Sequence, residues 1–188
     1  MSGQEAGFEE LIEYFQVRYR NNTVVLDSPV YRTSRGTRYL RGPGLVLLSK
    51  PHVDLSAINV YLEGYQPEFT EYLNDSWDSL TSGEVLIKFA GQTCYCSFGH
   101  KRTYNKDIER YLDNLKASGH GSVFEHANYT FLVYGVSRSL THEFIRHRAG
   151  FAYSQQSTRY IDQAALRFIE RPEFQNDEML HNNFLNRI

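Results

Sequence analysis

The hydrophobic and polar positions of this chain change period several times, and each period predicts an element. In residues 8–19 (FEELIEYFQVRY), Phe8, Leu11, Ile12, Phe15 and Tyr19 recur at three- to four-residue spacing, the stripe of an amphipathic helix. Residues 27–44 are rich in Pro, Ser, Gly and Arg and predict irregular or edge-strand backbone. Residues 45–49 (LVLLS) read as a short buried strand, 53–63 and 66–80 as helical with weak boundaries, and 84–92 as a short helix running into Cys94-Tyr95-Cys96. Residues 105–117 set Ile108, Leu112 and Leu115 on one helical face, with Asn105 as the N-cap and Ser118-Gly119 as the stop. The alternation over 127–135 puts Ala127, Tyr129, Phe131 and Val133 on one side of a half-buried strand. Ser137 is placed to cap a helix running to about Arg148, with Leu140, Phe144 and Ile145 inward and Gly150 breaking it. Strands and helices do not alternate as βαβ units, so the expected fold class is α+β, a mainly antiparallel sheet flanked by helices.

Composition narrows this picture. With 188 residues, 41% of them hydrophobic and 22% charged, the chain suits one globular domain or one domain with an appendage. The longest aliphatic run, Leu45 to Leu48, is far too short to span a membrane. The start, MSGQEAGFEEL, has neither a basic nor an apolar signal segment, so a soluble cytoplasmic protein is expected. Cys94 and Cys96 are too close for a usual structural disulfide and too few for a zinc site, and read as reduced thiols. The net charge of −2 hides 15 Arg against 5 Lys. Guanidinium is favoured where phosphate or carboxylate is recognised by a planar fork. Arg32, Arg35, Arg38 and Arg41 recur every three residues, a spacing that favours a solvated basic arm over a contact with a nucleotide or a second subunit. A pI near 6.4 and no paired aromatic platform argue against a nucleic-acid partner.

The chemistry concentrates in residues 141–160, THEFIRHRAGFAYSQQSTRY. His142-Glu143 and His147 imitate a zinc-protease helix, but the second His falls one position late and leaves the face that an i, i+4 pair would share. No metal site is expected. Arg146-His147-Arg148, followed by Ser154, Gln155, Gln156, Ser157, Thr158 and Arg159, supplies guanidinium, hydroxyl and amide donors, with Glu143 the one nearby acid. That inventory suits a phosphate dianion and the hydrogen-bonding edge of a base. A second cluster, Gly119-His120-Gly121-Ser122-Val123-Phe124-Glu125-His126, places His120 and Ser122 between glycines where backbone can approach a ligand. On spacing alone, His120 and His126 read more readily as structural histidines.

These elements, in this order, resemble the flavin-dependent thymidylate synthases. The family's R-H-R, spacer, S and R-Y signature stands as Arg146-His147-Arg148, eight residues, Ser157 and Arg159-Tyr160. Its HGS-x-FEH element stands as residues 120–126, and its A-G-R-x-C-Y stretch as Ala90-Gly91-Gln92-Thr93-Cys94-Tyr95. The spacer is one residue longer than the family's usual one, and Gln92 replaces the Arg. The resemblance implies reductive methylation of dUMP to dTMP, with 5,10-methylenetetrahydrofolate giving the carbon and NADPH reducing through FAD. It implies that His120, Ser122, Arg146, His147, Arg148 and Gln155 contact FAD, and that Glu143, Phe144, Arg146, Gln155, Gln156, Ser157, Thr158 and Arg159 hold dUMP. Arg146 and His147 would lie closest to the chemistry. It further implies a homotetramer with active sites between subunits, formed by a domain over 45–188 behind an N-terminal extension over 1–44. Only 29 residues follow Arg159, where the family continues with a long helical part, so a C-terminal truncation is expected. The alternatives are a related flavin-dependent UMP or dUMP methylase and a non-catalytic nucleotide-binding subunit.

Overall fold

A computed structural model describes residues 17–20, 23–162 and 167–188. The chain divides into two compact units, Met1–Leu48 with Phe131–Ile188, and Ser49–Thr130. Residues 8–16 of the expected N-terminal helix lie outside the described residues. Residues 17–19 of it are strand instead: β1 (Val17–Arg20) pairs antiparallel with β2 (Thr23–Leu26), Arg20 opposite Thr23. Val and Tyr favour extended backbone, and a paired neighbour decided the case over the helical spacing. The segment expected to be irregular or edge strand holds β3 (Val30–Arg32) and β4 (Arg38–Leu40), an antiparallel pair with Val30 opposite Leu40. β5 (Gly44–Ser49) is the strand foreseen at 45–49, yet it is buried only at its start and ends exposed at Leu48 and Ser49.

The unit Ser49–Thr130 contains three α-helices among its described residues. α1 (Leu55–Tyr65) starts where the Asp54 carboxylate accepts from the Ser56 amide at 2.9 Å. The helix expected over 66–80 is a 3-10 turn, Pro67–Asn74, and it stops because Asp75 is drawn into the interior. α2 (Ser82–Cys94) opens on a capping box in which Thr81 and Glu84 satisfy each other's backbone N–H groups. α3 (Ile108–Ala117) is preceded by a 3-10 turn over Asn105–Asp107. Asn105 therefore does not cap it: its amide donates to the Ser76 carbonyl at 2.7 Å, and its oxygen accepts from Lys88. A last 3-10 turn runs over Gly121–His126. Ile58, Leu62, Tyr72, Val85 and Phe98 form one core cluster, and Ile87, Leu115 and Val123 a second. Lys88 is fully buried, with Asp75 at 3.7 Å and the rings of Tyr72 and Trp77 at 5.2 and 5.3 Å.

The other unit resumes with β6 (Thr130–Tyr134), α4 (Arg138–Phe144), β7 (Phe168–Ile169), α5 (Pro172–Gln175) and α6 (Glu178–Arg187). One sheet runs β1-β2-β5-β6 and the other β3-β4-β7, where β7 joins β4 in parallel, so the second sheet is mixed. The molecule is α+β, with small sheets. The strand over 127–135 is present in shortened form, but without the expected buried face: Phe131, Leu132 and Val133 are all about half exposed, so the two faces do not differ. The four arginines of residues 32–41 are not a uniformly solvated arm. Arg41 pairs with the buried Glu170 carboxylate at 3.1 Å, and Arg35 donates to the Asn186 carbonyl at 2.8 Å. Glu170 also meets His181 Nδ1 at 2.5 Å, so a single carboxylate ties α6 to the end of β4. Gly44 lies under the Tyr134 ring, where an added Cβ would sit 2.1 Å from Cζ. The Tyr134 hydroxyl donates to Asp27 and accepts from the Ser28 amide, both at 3.3 Å.

Candidate active site

The cation-rich segment grows out of a short helix. Ser137 caps α4 as expected, its hydroxyl accepting from the Leu140 amide at 3.1 Å. The helix then stops at Phe144 rather than near Arg148, because the Arg146 and His147 amides bond back only three residues, to Glu143 and Phe144. Tight turns of this kind satisfy carbonyls that a longer helix would leave open. Leu140, Phe144 and Ile145 are not inward: each is more than 40% exposed. Gly150, at φ 76°, turns the chain out of the segment.

Arg146, His147 and Arg148 therefore stand on an exposed turn. Arg146 pairs with Glu143 at 3.1 Å, both side chains more than 60% exposed, an ion pair whose contribution to stability is small. The His147 carbonyl accepts from the Tyr153 hydroxyl at 3.2 Å, which closes the turn. Beyond it, the Gln155 amide donates to Thr141 at 2.5 Å and the Arg138 guanidinium to the Gln156 carbonyl at 3.1 Å, tying the polar stretch back along α4. The Ser157 hydroxyl accepts from the Arg159 amide at 3.1 Å, a local turn that holds these two side chains two residues apart. Among the described residues, the side chains of Arg148 and Arg159 have no hydrogen-bond or ion-pair partner. Thus Glu143, Phe144, Arg146, His147, Arg148, Gln155, Gln156, Ser157, Thr158 and Arg159 belong to one stretch of one unit. Thr141, Arg138 and Tyr153, which sequence reasoning left aside, hold that stretch in place; only their polarity marked them.

His120 and Ser122 belong to the unit Ser49–Thr130. α3 ends in a Schellman pattern, with Gly119 bonded to Lys116 and His120 to Leu115, both at 3.0 Å. Gly119 takes the left-handed position at φ 71°, as anticipated for the stop. Around Gly121 nothing lies within 4 Å of an added Cβ, so the backbone beside His120 and Ser122 is open to a ligand. The His120 ring stacks on Tyr95, with centroids 5.8 Å apart and planes 21° from parallel. Cys94 and Cys96, on either side of Tyr95, are free and exposed.

The description "Thymidylate synthase complementing protein" belongs to a family model that matches residues 77–188, more than half of the chain. The chain belongs to this family. The matched segment contains His120, Ser122 and the whole run from Glu143 to Arg159, while β1 to β5 and α1 precede it. Curated relatives agree. The chain is 41% identical over 98 residues to a flavin-dependent thymidylate synthase of Mycobacterium marinum, covering 52% of this chain and 39% of the relative. It is 36% identical over 115 residues to one from Mycobacterium leprae, covering 59% and 45%, and 40% identical over 100 residues to one from Mycobacterium bovis, covering 53% and 40%. The matches span less than half of each relative's length. No helix among the described residues is long and apolar enough to cross a membrane.

Proposed function

We propose that this member of the thymidylate synthase complementing family acts in flavin-dependent thymidylate synthesis, the reductive methylation of dUMP to dTMP with 5,10-methylenetetrahydrofolate and NADPH. The observation that carries the reading is the exposed donor run from Arg146 to Arg159, inside the family match. Its donors fit an isoalloxazine and two phosphate-bearing ligands better than they fit a metal or an acyl substrate. FAD, when bound, supplies the redox chemistry, and the protein supplies orientation and electrostatics.

In this reading His120, Ser122, Arg146, His147, Arg148 and Gln155 hold FAD, and Glu143, Phe144, Arg146, Gln155, Gln156, Ser157, Thr158 and Arg159 hold dUMP. Arg148 and Arg159 suit phosphate, because neither spends its guanidinium on a protein acceptor among the described residues. Arg146 exchanges Glu143 for a uracil carbonyl, at small cost for a pair this exposed. Ser157 binds rather than attacks: its oxygen already accepts from the Arg159 amide, which leaves its hydroxyl hydrogen to donate to phosphate. The active sites lie between subunits of a homotetramer in the cytoplasm, and the chain takes the family's fold over 45–188 behind an extension over 1–44.

Release of tritium from 5-tritiated dUMP, in the presence of FAD, NADPH and methylenetetrahydrofolate, tests the reading. Release is expected with dUMP and not with UMP. No release from a chain that retains FAD overturns the catalytic assignment, and release from UMP alone overturns the substrate.

A further inference from the structure

Resting on the reading that His120 meets the flavin, we propose that Tyr95 is the positioning residue for His120: its ring carries one face of the imidazole, and its hydroxyl fixes which ring nitrogen faces the ligand. Two helix ends converge to make this pair. α2 closes with Cys96 bonded to Thr93 at 3.2 Å and Ser97 to Gln92 at 3.0 Å, the same Schellman pattern that closes α3 at Gly119 and His120. Tyr95 is the last residue before that turn, and His120 the second after Ser118, so backbone bonds aim both rings. Cys96 holds the left-handed position at φ 50° that glycine occupies in α3, so the turn is kept even with a side chain that disfavours it.

The contact has two parts. Ring stacking at 5.8 Å and 21° covers one imidazole face. The Tyr95 hydroxyl lies 3.4 Å from His120 Nε2. With the phenol donating there, the neutral imidazole carries its hydrogen on Nδ1, which has no partner among the described residues. His120 then offers an N–H donor beside the open backbone of Gly121, suited to a carbonyl or phosphate oxygen of the cofactor. A purely structural tyrosine would be packed; Tyr95 is 67% exposed, so its truncation removes little of the core.

The test uses the whole chain and four variants, Tyr95→Ala, Tyr95→Phe, His120→Ala and the double Tyr95→Ala/His120→Ala, with thermal melts as the folding control. In the ligand-free protein, the His120 Cε1–H resonance is expected to be shifted by the Tyr95 ring. Tyr95→Phe keeps that shift and Tyr95→Ala abolishes it. FAD titration by flavin fluorescence is expected to show roughly 2- to 12-fold weaker binding in Tyr95→Ala, the worth of one aromatic pair. Tyr95→Phe restores the share owed to the ring and not the share owed to the hydroxyl, so it falls between the natural chain and Tyr95→Ala. Affinity equal to the natural chain's in Tyr95→Phe overturns the hydroxyl's role. Tyr95→Ala adds nothing once His120 is removed. An unchanged His120 resonance in Tyr95→Ala, or full additivity of the two losses, overturns the positioning role while leaving the flavin contact standing. Unchanged FAD affinity in His120→Ala overturns both.

Discussion

Lys88 is buried with its charge held by two aromatic rings, the Asn105 amide oxygen and the Asp75 carboxylate, which Arg102 also engages at 3.3 Å. Burial lowers its pKa from 10.5 to about 8, although Asp75 pulls the other way. The folded chain therefore gives up this proton before the unfolded chain does. Below pH 8 both states are protonated and the folded state bears the full penalty. As pH rises from 8 toward 10.5, the unfolded chain holds more protons and stability climbs. Burial raises the pKa of Tyr72 and Tyr111, so near pH 10 and above the unfolded state loses phenolic protons first and stability falls again. Urea midpoints between pH 7 and 10 for the natural chain and for Lys88→Met should thus diverge, the natural chain gaining relative to the variant above pH 8. Parallel profiles would show that Lys88 is not desolvated as the structure has it.

At the scale of elements, local chemistry decided some boundaries and tertiary demand the others. Ser137 was legible as a cap because its hydroxyl needs nothing beyond its own turn. Ser137→Ala is expected to cost about 1 kcal/mol and to speed amide exchange at Leu140, with Ser137→Asp restoring both. Equal exchange in all three would mean that α4 does not depend on its cap. The capping chemistry of Asn105 was equally plain in the sequence, yet Lys88 and Ser76 claim its side chain, and no spacing rule reports such a claim. The expected helix over 66–80 failed for a related reason: Asp75 leaves it to meet Lys88 and Arg102. The candidate site was legible as a run of residues, Glu143 to Arg159, because its donors are contiguous in the sequence. Its supports were not, since Thr141 reaches Gln155 and Arg138 reaches Gln156 across a turn that no periodicity encodes. The docking of Arg41 and Arg35 onto residues 170–188 was hidden likewise, because a regular three-residue spacing looks the same whether or not acceptors fold back onto it.

For the molecule as a whole, the apolar side chains left outside matter as much as the cores. Phe131, Leu132 and Val133 of β6, with Leu140, Phe144 and Ile145 beside them in sequence, are exposed, and β6 lies at the end of its sheet. Strand edges of this kind invite pairing with another chain. The proposed homotetramer would cover the exposed part of this surface, and sedimentation at micromolar concentration should find four chains, with Leu132→Glu shifting the population to smaller species. A natural chain sedimenting singly would refute the assembly. Gly44 and Tyr134 bear on how this sheet can change over generations. With no room for a methyl group at 44 under that ring, neither position is free while the other stands. A larger residue at 44 should survive selection only in company with a smaller one at 134, so in a library randomised at both sites the folded variants should show the two positions trading volume, one heritable unit whose halves lie far apart in the chain.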